Sequence, residues 1–437
     1  MAITEAGAGS DVGAQVTAWL EQNWDPDLTV AEWWERLGTA GWAAPSLPDG
    51  SYGHGLSRAE TVRVQEAIAD FGALGAPGGL GLLLAAPTIA THGTPEQVEQ
   101  FVRDIVTGQK AWCQLFSEPG AGSDLAGLTT KAVKDGDEYV ITGQKVWTSG
   151  GHVADMGMLL ARTNPDAPKH QGITYFAFDM HQPGVEVRPL REMTGQALFN
   201  EVFINEARVP ESAIIGGLNN GWAVANTTLM FERAGLGAGG GSAAGGTATP
   251  GTVVNDLVKR AGDLVGGRRA RRSSGGPGGL GGGFKLLHGI AQAMGTATDP
   301  IIRQGLAQLY VLNELGRMTT LRSKALRAAG SDVPGVGNIA KLSMSNLLRL
   351  QRDLGLQILG ARGTLHAYGD QDTSGFDGLP DGGFGAMVTG SALFTQGPPI
   401  YGGTDQIQRN IIGERVLGLP KEPNNDRITP FKDLPRN

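Results

Sequence analysis

Side chains able to do chemistry gather in four short stretches of this 437-residue chain. Trp112-Cys-Gln-Leu-Phe-Ser-Glu-Pro-Gly-Ala-Gly-Ser-Asp124 runs from an apolar segment into a glycine turn that carries Ser117 and Ser123. Gly143-Gln-Lys-Val-Trp-Thr-Ser149 closes on an indole and two hydroxyls. Tyr401-Gly-Gly-Thr-Asp-Gln-Ile-Gln-Arg409 places Thr404 and Gln406 after a pair of glycines. Met230-Phe-Glu-Arg233 sets a carboxylate directly before a guanidinium. Such a carboxylate either accepts a proton during a reaction or pairs with a nearby arginine at the surface.

Other chemistries have less behind them. The seven histidines show no HExxH pattern or other ligand spacing, so no metal site is expected. A single cysteine, Cys113, cannot close an intramolecular disulfide and fits a reducing cytoplasm. A net charge of −7 argues against a nucleic-acid binder. No run of eighteen apolar residues suggests a membrane span, and the first thirty residues lack the pattern of a secretory signal. The glycines of Gly235-Leu-Gly-Ala-Gly-Gly240 fit a dinucleotide fingerprint by letter, but no strand precedes them and no acidic ribose ligand follows in place. Arg268, Arg269, Arg271 and Arg272 form a basic run within a glycine-rich tract, read as a solvated loop with a partner or phosphate contact as the alternative.

The elements that must position these residues change period along the chain. Up to Trp112 the sequence reads as helices broken by Pro/Gly turns. In 94–107, Thr94 caps a helix that starts at Pro95 and carries Val98, Phe101, Val102 and Ile105 on one face. Residues 131–147 alternate about an Asp135-Gly136 turn, a hairpin signal. Strand-like runs follow at Met156–Ala161, Ile173–Phe178, Val185–Arg188 and Val202–Ile204. The helical period returns after Gly221. Thr298-Asp299-Pro300 opens one helix with Ile302, Leu306, Leu309 and Leu315, and another carries Ile339, Leu342, Leu347, Leu350, Leu354 and Ile358. Boundaries are expected at 1–112 (helical), 113–218 (β) and 219–420 (helical, with a glycine-rich insert). A polar tail over 421–437 is expected to be loosely held.

The first three motifs, in this order and within a helix–strand–helix chain, resemble the acyl-CoA dehydrogenase family over roughly residues 85–420. The resemblance implies an α+β fold: an N-terminal helical domain, a central β domain and a C-terminal four-helix bundle that builds a tetramer. It implies FAD as cofactor and an acyl-CoA as substrate, with electrons passed to an electron-transfer flavoprotein in the cytoplasm. Phe116 and Ser117 would contact the pyrimidine edge of the flavin, Ser149 its N5, and Trp147 its apolar face. Negative charge that develops at a reduced flavin is stabilised by donors so placed. Ser123 would reach the pantetheine chain, and Arg233 would also touch substrate. Gln357 and the Gly360-Ala-Arg-Gly363 turn would touch the cofactor of a neighbouring subunit, and Thr404 and Gln406 match the family's C-terminal FAD contacts, although Gly360 and Gly363 serve equally well as helix C-caps.

Two departures from the family pattern stand out. The position that carries a catalytic glutamate in many members is Gly402, whose backbone N–H still suits polarisation of the thioester oxygen. Glu232 matches the alternative helix position of the base. The family's Arg-x-x-Phe-Gly segment, which grips the FAD of a partner subunit, is reduced here to Lys259-Arg-Ala-Gly-Asp263, with Arg260 its surviving arginine. The degraded clamp suggests a mixed tetramer with a second dehydrogenase-like chain, with a homo-oligomer as the equal alternative. The rivals to a dehydrogenase are a catalytically silent partner subunit, an oxidase or monooxygenase on the same fold, and an acyl-CoA-binding protein.

Overall fold

The computed structural model describes residues 11–237, 248–266, 283–329, 331, 334–365 and 384–435. Three N-terminal helices, α1 (Val12–Asn23), α2 (Val30–Thr39) and α3 (Arg58–Phe71), start at sharp sequence signals. Thr29 with Glu32, and Ser57 with Glu60, form reciprocal capping boxes, and Asp11 caps α1. Such caps contribute about 1 kcal/mol each. Trp33 and Trp34 are buried where α2 meets the loop after α3, and their indole N–H groups donate to the carbonyls of Leu74 and Gly75 at 2.7 and 2.8 Å. A π turn, Gly81–Ala85, leads into α4 (Ala86–His92). The 94–107 helix is present with its Thr94–Gln97 capping box, but a second π turn (Val98–Val102) divides it into α5 (Pro95–Gln97) and α6 (Arg103–Val106). Its expected apolar face, Val98, Phe101, Val102 and Ile105, is buried.

The strands are β1 (Trp112–Leu115), β2 (Lys131–Asp135), β3 (Glu138–Ser149), β4 (Met156–Arg162), β5 (Ile173–Asp179), β6 (Val185–Leu190), β7 (Phe199–Pro210) and β8 (Ile214–Ile215). They order as β6-β7-β3-β2-β4-β5-β8, with β1 added in parallel to β4, Gln114 opposite Met158. The β2–β3 hairpin turns at Asp135-Gly136, where Gly136 takes φ +63°. β4 and β5 are buried along nearly their whole length, the signature of strands covered on both faces.

Helix α7 (Gly221–Gly237) packs on β5 and on the 81–92 helix and includes Gly235, so the first residues of the glycine fingerprint continue a helix rather than following a strand, and residues 238–240 lie outside the described residues. Residues 248–266 return to the N-terminal helices, where Val30 N–H donates to Lys259 C=O at 2.8 Å. Four further helices, α8 (Gly283–Ala293), α9 (Pro300–Ala328), α10 (Val336–Leu359) and α11 (Phe384–Phe394), share a second core. That core contains Leu287, Ile290, Ile302, Leu306, Leu309, Leu354, Ile358 and Val388. Asp299 caps α9 as expected, accepting from the N–H groups of Ile301 and Ile302. Leu315 and Ile339, expected on buried faces, are instead 54% and 43% exposed. The chain thus has the helical, β and helical layers that the motifs implied. The run Arg268–Arg272 lies outside the described residues.

The tail departs from expectation. Residues 426–432 are fastened to the loop between β4 and β5 rather than loosely held. Phe431 N–H donates to Ala167 C=O at 2.9 Å, Lys432 N–H donates to Pro165 C=O at 3.0 Å, and Asp426 pairs with Lys169. The Phe431 ring lies 3.5 Å from the Arg162 guanidinium, a cation–π contact.

Candidate functional site

The last residues of β3 leave the regular ladder. Its register with β7 slips between Lys145 and Thr148, and Trp147 adopts φ +62°. A bulky side chain in that region costs about 1–2 kcal/mol. Two hydrogen bonds hold the distortion: Val146 N–H to Ser117 C=O at 2.9 Å, and Asn200 Nδ2 to Thr148 C=O at 3.0 Å. The result is an indole 57% exposed, set edge-on to Phe199 at 5.8 Å, with exposed Ser149 two residues on. A strained, solvent-facing tryptophan beside a free-facing hydroxyl is what a flat heterocycle with a hydrogen-bonding edge requires.

The turn after β1 is fixed from below. Phe116 is buried against Tyr175, its carbonyl accepting from Lys145 Nζ at 3.1 Å. Lys145 is fully buried and also donates to Glu118 at 2.9 Å. Glu118 accepts in addition from Thr129 N–H, Thr129 Oγ1 and Thr130 N–H at 2.7, 2.8 and 2.9 Å. Burial alone would raise the Glu118 carboxyl, but the ammonium and these donors outweigh it and hold the group down at about 2. Lys145 is pulled below its ordinary value by its own burial, against the attraction of Glu118. With four donors converging on one carboxylate the ion pair stands, and the ammonium bears the desolvation. Glu118 is therefore committed to the turn and is no candidate for proton transfer.

Ser123 is exposed at the tip of the glycine turn. Behind it, Arg162 donates to the carbonyls of Ala126, Leu128 and Lys169 at 2.6, 3.2 and 3.0 Å, tying the turn to the β4–β5 loop. Lys169 reaches both oxygens of Asp124 at 3.0 Å.

Glu232 sits on α7, half-buried, within 3.4 Å of the Gln114 amide on β1. The amide orients the carboxylate between the helix and the strand that leads into the Phe116–Ser117 turn. Gln114 and Lys145 were missed from the sequence, although both lie inside quoted motifs. Neither residue type announces itself as a positioning group without its partner. The side chain of Arg233 lies outside the described residues.

The remaining candidates lie on α10, around residue 402 and in the 248–266 segment. Gly402 has φ +63° and its carbonyl accepts from Gln408 Nε2 at 2.9 Å. Thr404 caps α12 (Asp405–Ile411), accepting from Ile407 N–H at 3.1 Å, while Gln406 is exposed. Asp405 is buried and bound to Lys341 at 3.0 Å and Arg349 at 2.7 Å, which removes it as a rival base. Gln357 is exposed, and Gly360 is the C-cap of α10, the structural alternative named for it. Arg260 is held in surface pairs with Asp27 at 2.6 Å and Asp263 at 2.9 Å. A role at a neighbouring subunit's cofactor would require those pairs to open. Among the described residues no cluster of His, Cys, Asp or Glu could hold a metal ion, and no helix is long and apolar enough to cross a membrane.

Comparisons with known proteins point one way. Models of the acyl-CoA dehydrogenase N-terminal, middle and C-terminal domains match residues 10–109, 113–205 and 291–417. The acyl-CoA dehydrogenase IpdE1 of Mycobacterium tuberculosis is 35% identical over 426 residues, 94% of this chain and 97% of that protein. FadE34 of the same organism, also an acyl-CoA dehydrogenase, is 37% identical over 389 residues, 88% of this chain. Only 46% of FadE34 is covered, so this chain spans about half the length of that relative. Among solved structures, a variant of the Tcur3481-Tcur3483 steroid ACAD matches with a TM-score of 0.65 at 25% identity, over 94% of this chain and 99% of that one. The ChsE4-ChsE5 complex from Mycobacterium tuberculosis, at 24% identity, 96% and 100% coverage and the same TM-score, shares the fold.

Proposed function

The chain belongs to the acyl-CoA dehydrogenase family, and from that premise we propose that it oxidises the Cα–Cβ bond of an acyl-CoA thioester to the trans-2-enoyl-CoA. The observation that carries this reading is Glu232, a half-buried carboxylate held by Gln114 beside the β1 turn. The cofactor is FAD, which when bound would supply a two-electron acceptor for the β-hydrogen, with an electron-transfer flavoprotein as the onward acceptor. Trp147, Ser149, Phe116 and Ser117 would hold its ring, Thr404 and Gln406 would hold its remainder, and Gln357 and Gly360 would reach the cofactor of a neighbouring subunit. The residues fit: an exposed indole in a strained conformation and an exposed hydroxyl share the end of one strand.

Glu232 takes the α-proton onto its carboxylate. The Gly402 N–H supports the thioester oxygen, where negative charge collects as the proton leaves. Ser123 and Arg233 address the carrier arm. A carboxylate on α7 in place of one at Gly402 leaves the turn near residue 402 free of bulk, which suits branched or steroid-derived acyl groups. The name of one solved relative agrees with this.

Assembly as a mixed tetramer with a related chain is the companion proposal. It is supported by the reduced Arg260 segment and by apolar side chains of α9 left exposed, namely Val311, Leu315 and Met318 at 51%, 54% and 55%. Anaerobic titration of the flavin-loaded protein with a panel of acyl-CoAs, following bleaching, tests the reaction. Glu232→Gln should keep flavin and acyl-CoA binding and slow bleaching by about 10²–10⁴-fold. Full single-turnover speed in that variant would show that another group takes the proton.

A further inference from the structure

A cavity of ≈ 660 Å³ lies on the solvent side of α7, its wall formed by Trp222, Asn226 and Met230 from three successive turns. Facing them are His170 from the β4–β5 loop, Arg415 from the segment after α12, and Arg427 from the tail. Its volume falls within the range of small-molecule and cofactor sites, about 300–1,000 Å³. His170 stands edge-on to Trp222 at 4.8 Å, and burial pulls its pKa below the usual imidazole value. The cavity's fixed charge is thus that of two guanidiniums. Among the described residues neither has a carboxylate within salt-bridge distance. Two unneutralised arginines beside an indole and an imidazole suit a ligand that joins phosphates to a flat heterocycle.

Arg427 is there because the tail is tied down. Asp426 pairs with Lys169, the Phe431 ring covers the Arg162 guanidinium, and Pro430 bridges Pro168. Every anchor lies within two residues of the β4–β5 loop that lines the cavity or within that loop itself. Met230 closes the row on α7 two residues before Glu232.

We infer that the C-terminal tail is a built wall of the substrate site, presenting Arg427 with Arg415 to the phosphates of the nucleotide end of the CoA carrier. The inference rests on the proposed dehydrogenase reading. Arg427 and Arg415 act as binding residues, and Phe431 as a positioning residue that acts through the tail.

Calorimetric titration of the flavin-loaded protein with CoA and with adenosine 3′,5′-bisphosphate tests this. Arg427→Ala and Arg415→Ala should each weaken both ligands by about 10- to 100-fold, the loss expected for a charge-assisted contact. Thermal unfolding should stay unchanged, and Arg427→Lys should recover part of the affinity. Phe431→Ala, which removes no cavity side chain, should weaken both ligands in the same direction. Loss of CoA affinity without loss of bisphosphate affinity would overturn the placement of the nucleotide end. Unchanged CoA affinity in Arg427→Ala, with acyl-CoA bleaching of the wild type intact, would overturn the tail's role alone. A wild-type protein that binds no CoA and is bleached by no acyl-CoA would overturn the dehydrogenase reading itself.

Discussion

Replacing Lys145 by methionine removes one charge from a pair with almost no contact with water. The side chains of Lys145 and Glu118 are 0% and 5% exposed. The Glu118 carboxylate then keeps its three threonine donors but loses its counter-charge, and Phe116 C=O loses its ammonium partner. A carboxyl held at about 2 rather than its ordinary 4.5 draws about 3 kcal/mol from its surroundings. Breaking a buried pair from one side costs about 3–5 kcal/mol. Urea unfolding followed by tryptophan fluorescence at pH 7 should show a loss of this size, together with weakened flavin retention as Phe116 loosens. The pH dependence carries a sign. In the wild type the depressed carboxyl contributes stability above its unfolded pKa, and that stability is lost as pH falls towards 2. In Lys145→Met burial dominates and raises the Glu118 pKa, so the deficit should shrink as pH is lowered and the carboxyl protonates. Lys145→Met with Glu118→Gln should recover most of the loss, because the neutral amide oxygen still accepts from Thr129 and Thr130. A Lys145→Met protein within about 1 kcal/mol of the wild type, with a deficit indifferent to pH, would refute the reasoning.

Two further outcomes follow from the same geometry. Gly402→Glu should cost about 1–2 kcal/mol of stability, because residue 402 sits at φ +63°. In a Glu232→Ala background it should nevertheless restore part of the bleaching rate; no recovery in single turnover would separate the two positions. Asp405→Asn should destabilise the α10–α12 contact by about 3 kcal/mol, since Lys341 is left buried without a counter-charge. The Asp405 carboxyl is itself depressed: burial raises it, but Ser345, Lys341 and Arg349 outweigh that. Its contribution is therefore present above the unfolded carboxyl pKa and lost on acidification, so the gap between wild type and variant should narrow in acid unfolding.

Local signals were legible and long-range ones were not. The Thr94 cap, the Asp135-Gly136 turn and the Asp299 cap are short-range hydrogen-bonding patterns, and each sits where the sequence put it. Periodicity marked the apolar stripes of α9 and α10 but could not say where packing stops. Leu315 and Ile339 continue the pattern beyond the shared core and stay exposed. β1 escaped notice because a four-residue strand paired in parallel to β4 has no turn to betray it. Lys145 reads as a solvated strand residue until Glu118 is seen beneath it. The polar tail looked unattached because its partners, Arg162 at the end of β4 and Lys169 in the loop after it, lie far earlier in the chain. At the site itself, the motifs located the Trp147 and Ser149 end of β3, whereas the Gln114–Glu232 contact needed the fold.

The distance along the chain between that loop and the tail has a consequence for biosynthesis. Residues 163–172 emerge from a ribosome long before Phe431, an interval of roughly tens of seconds at about 5–20 residues per second. During it the three carbonyl partners of Arg162 have been synthesised but its aromatic cover has not, and the Arg427 side of the cavity does not yet exist. Whatever engages the β4–β5 loop in that interval competes with the protein's own later sequence. Any β layer that forms before synthesis ends therefore has the cavity open on its tail side, which the finished molecule closes.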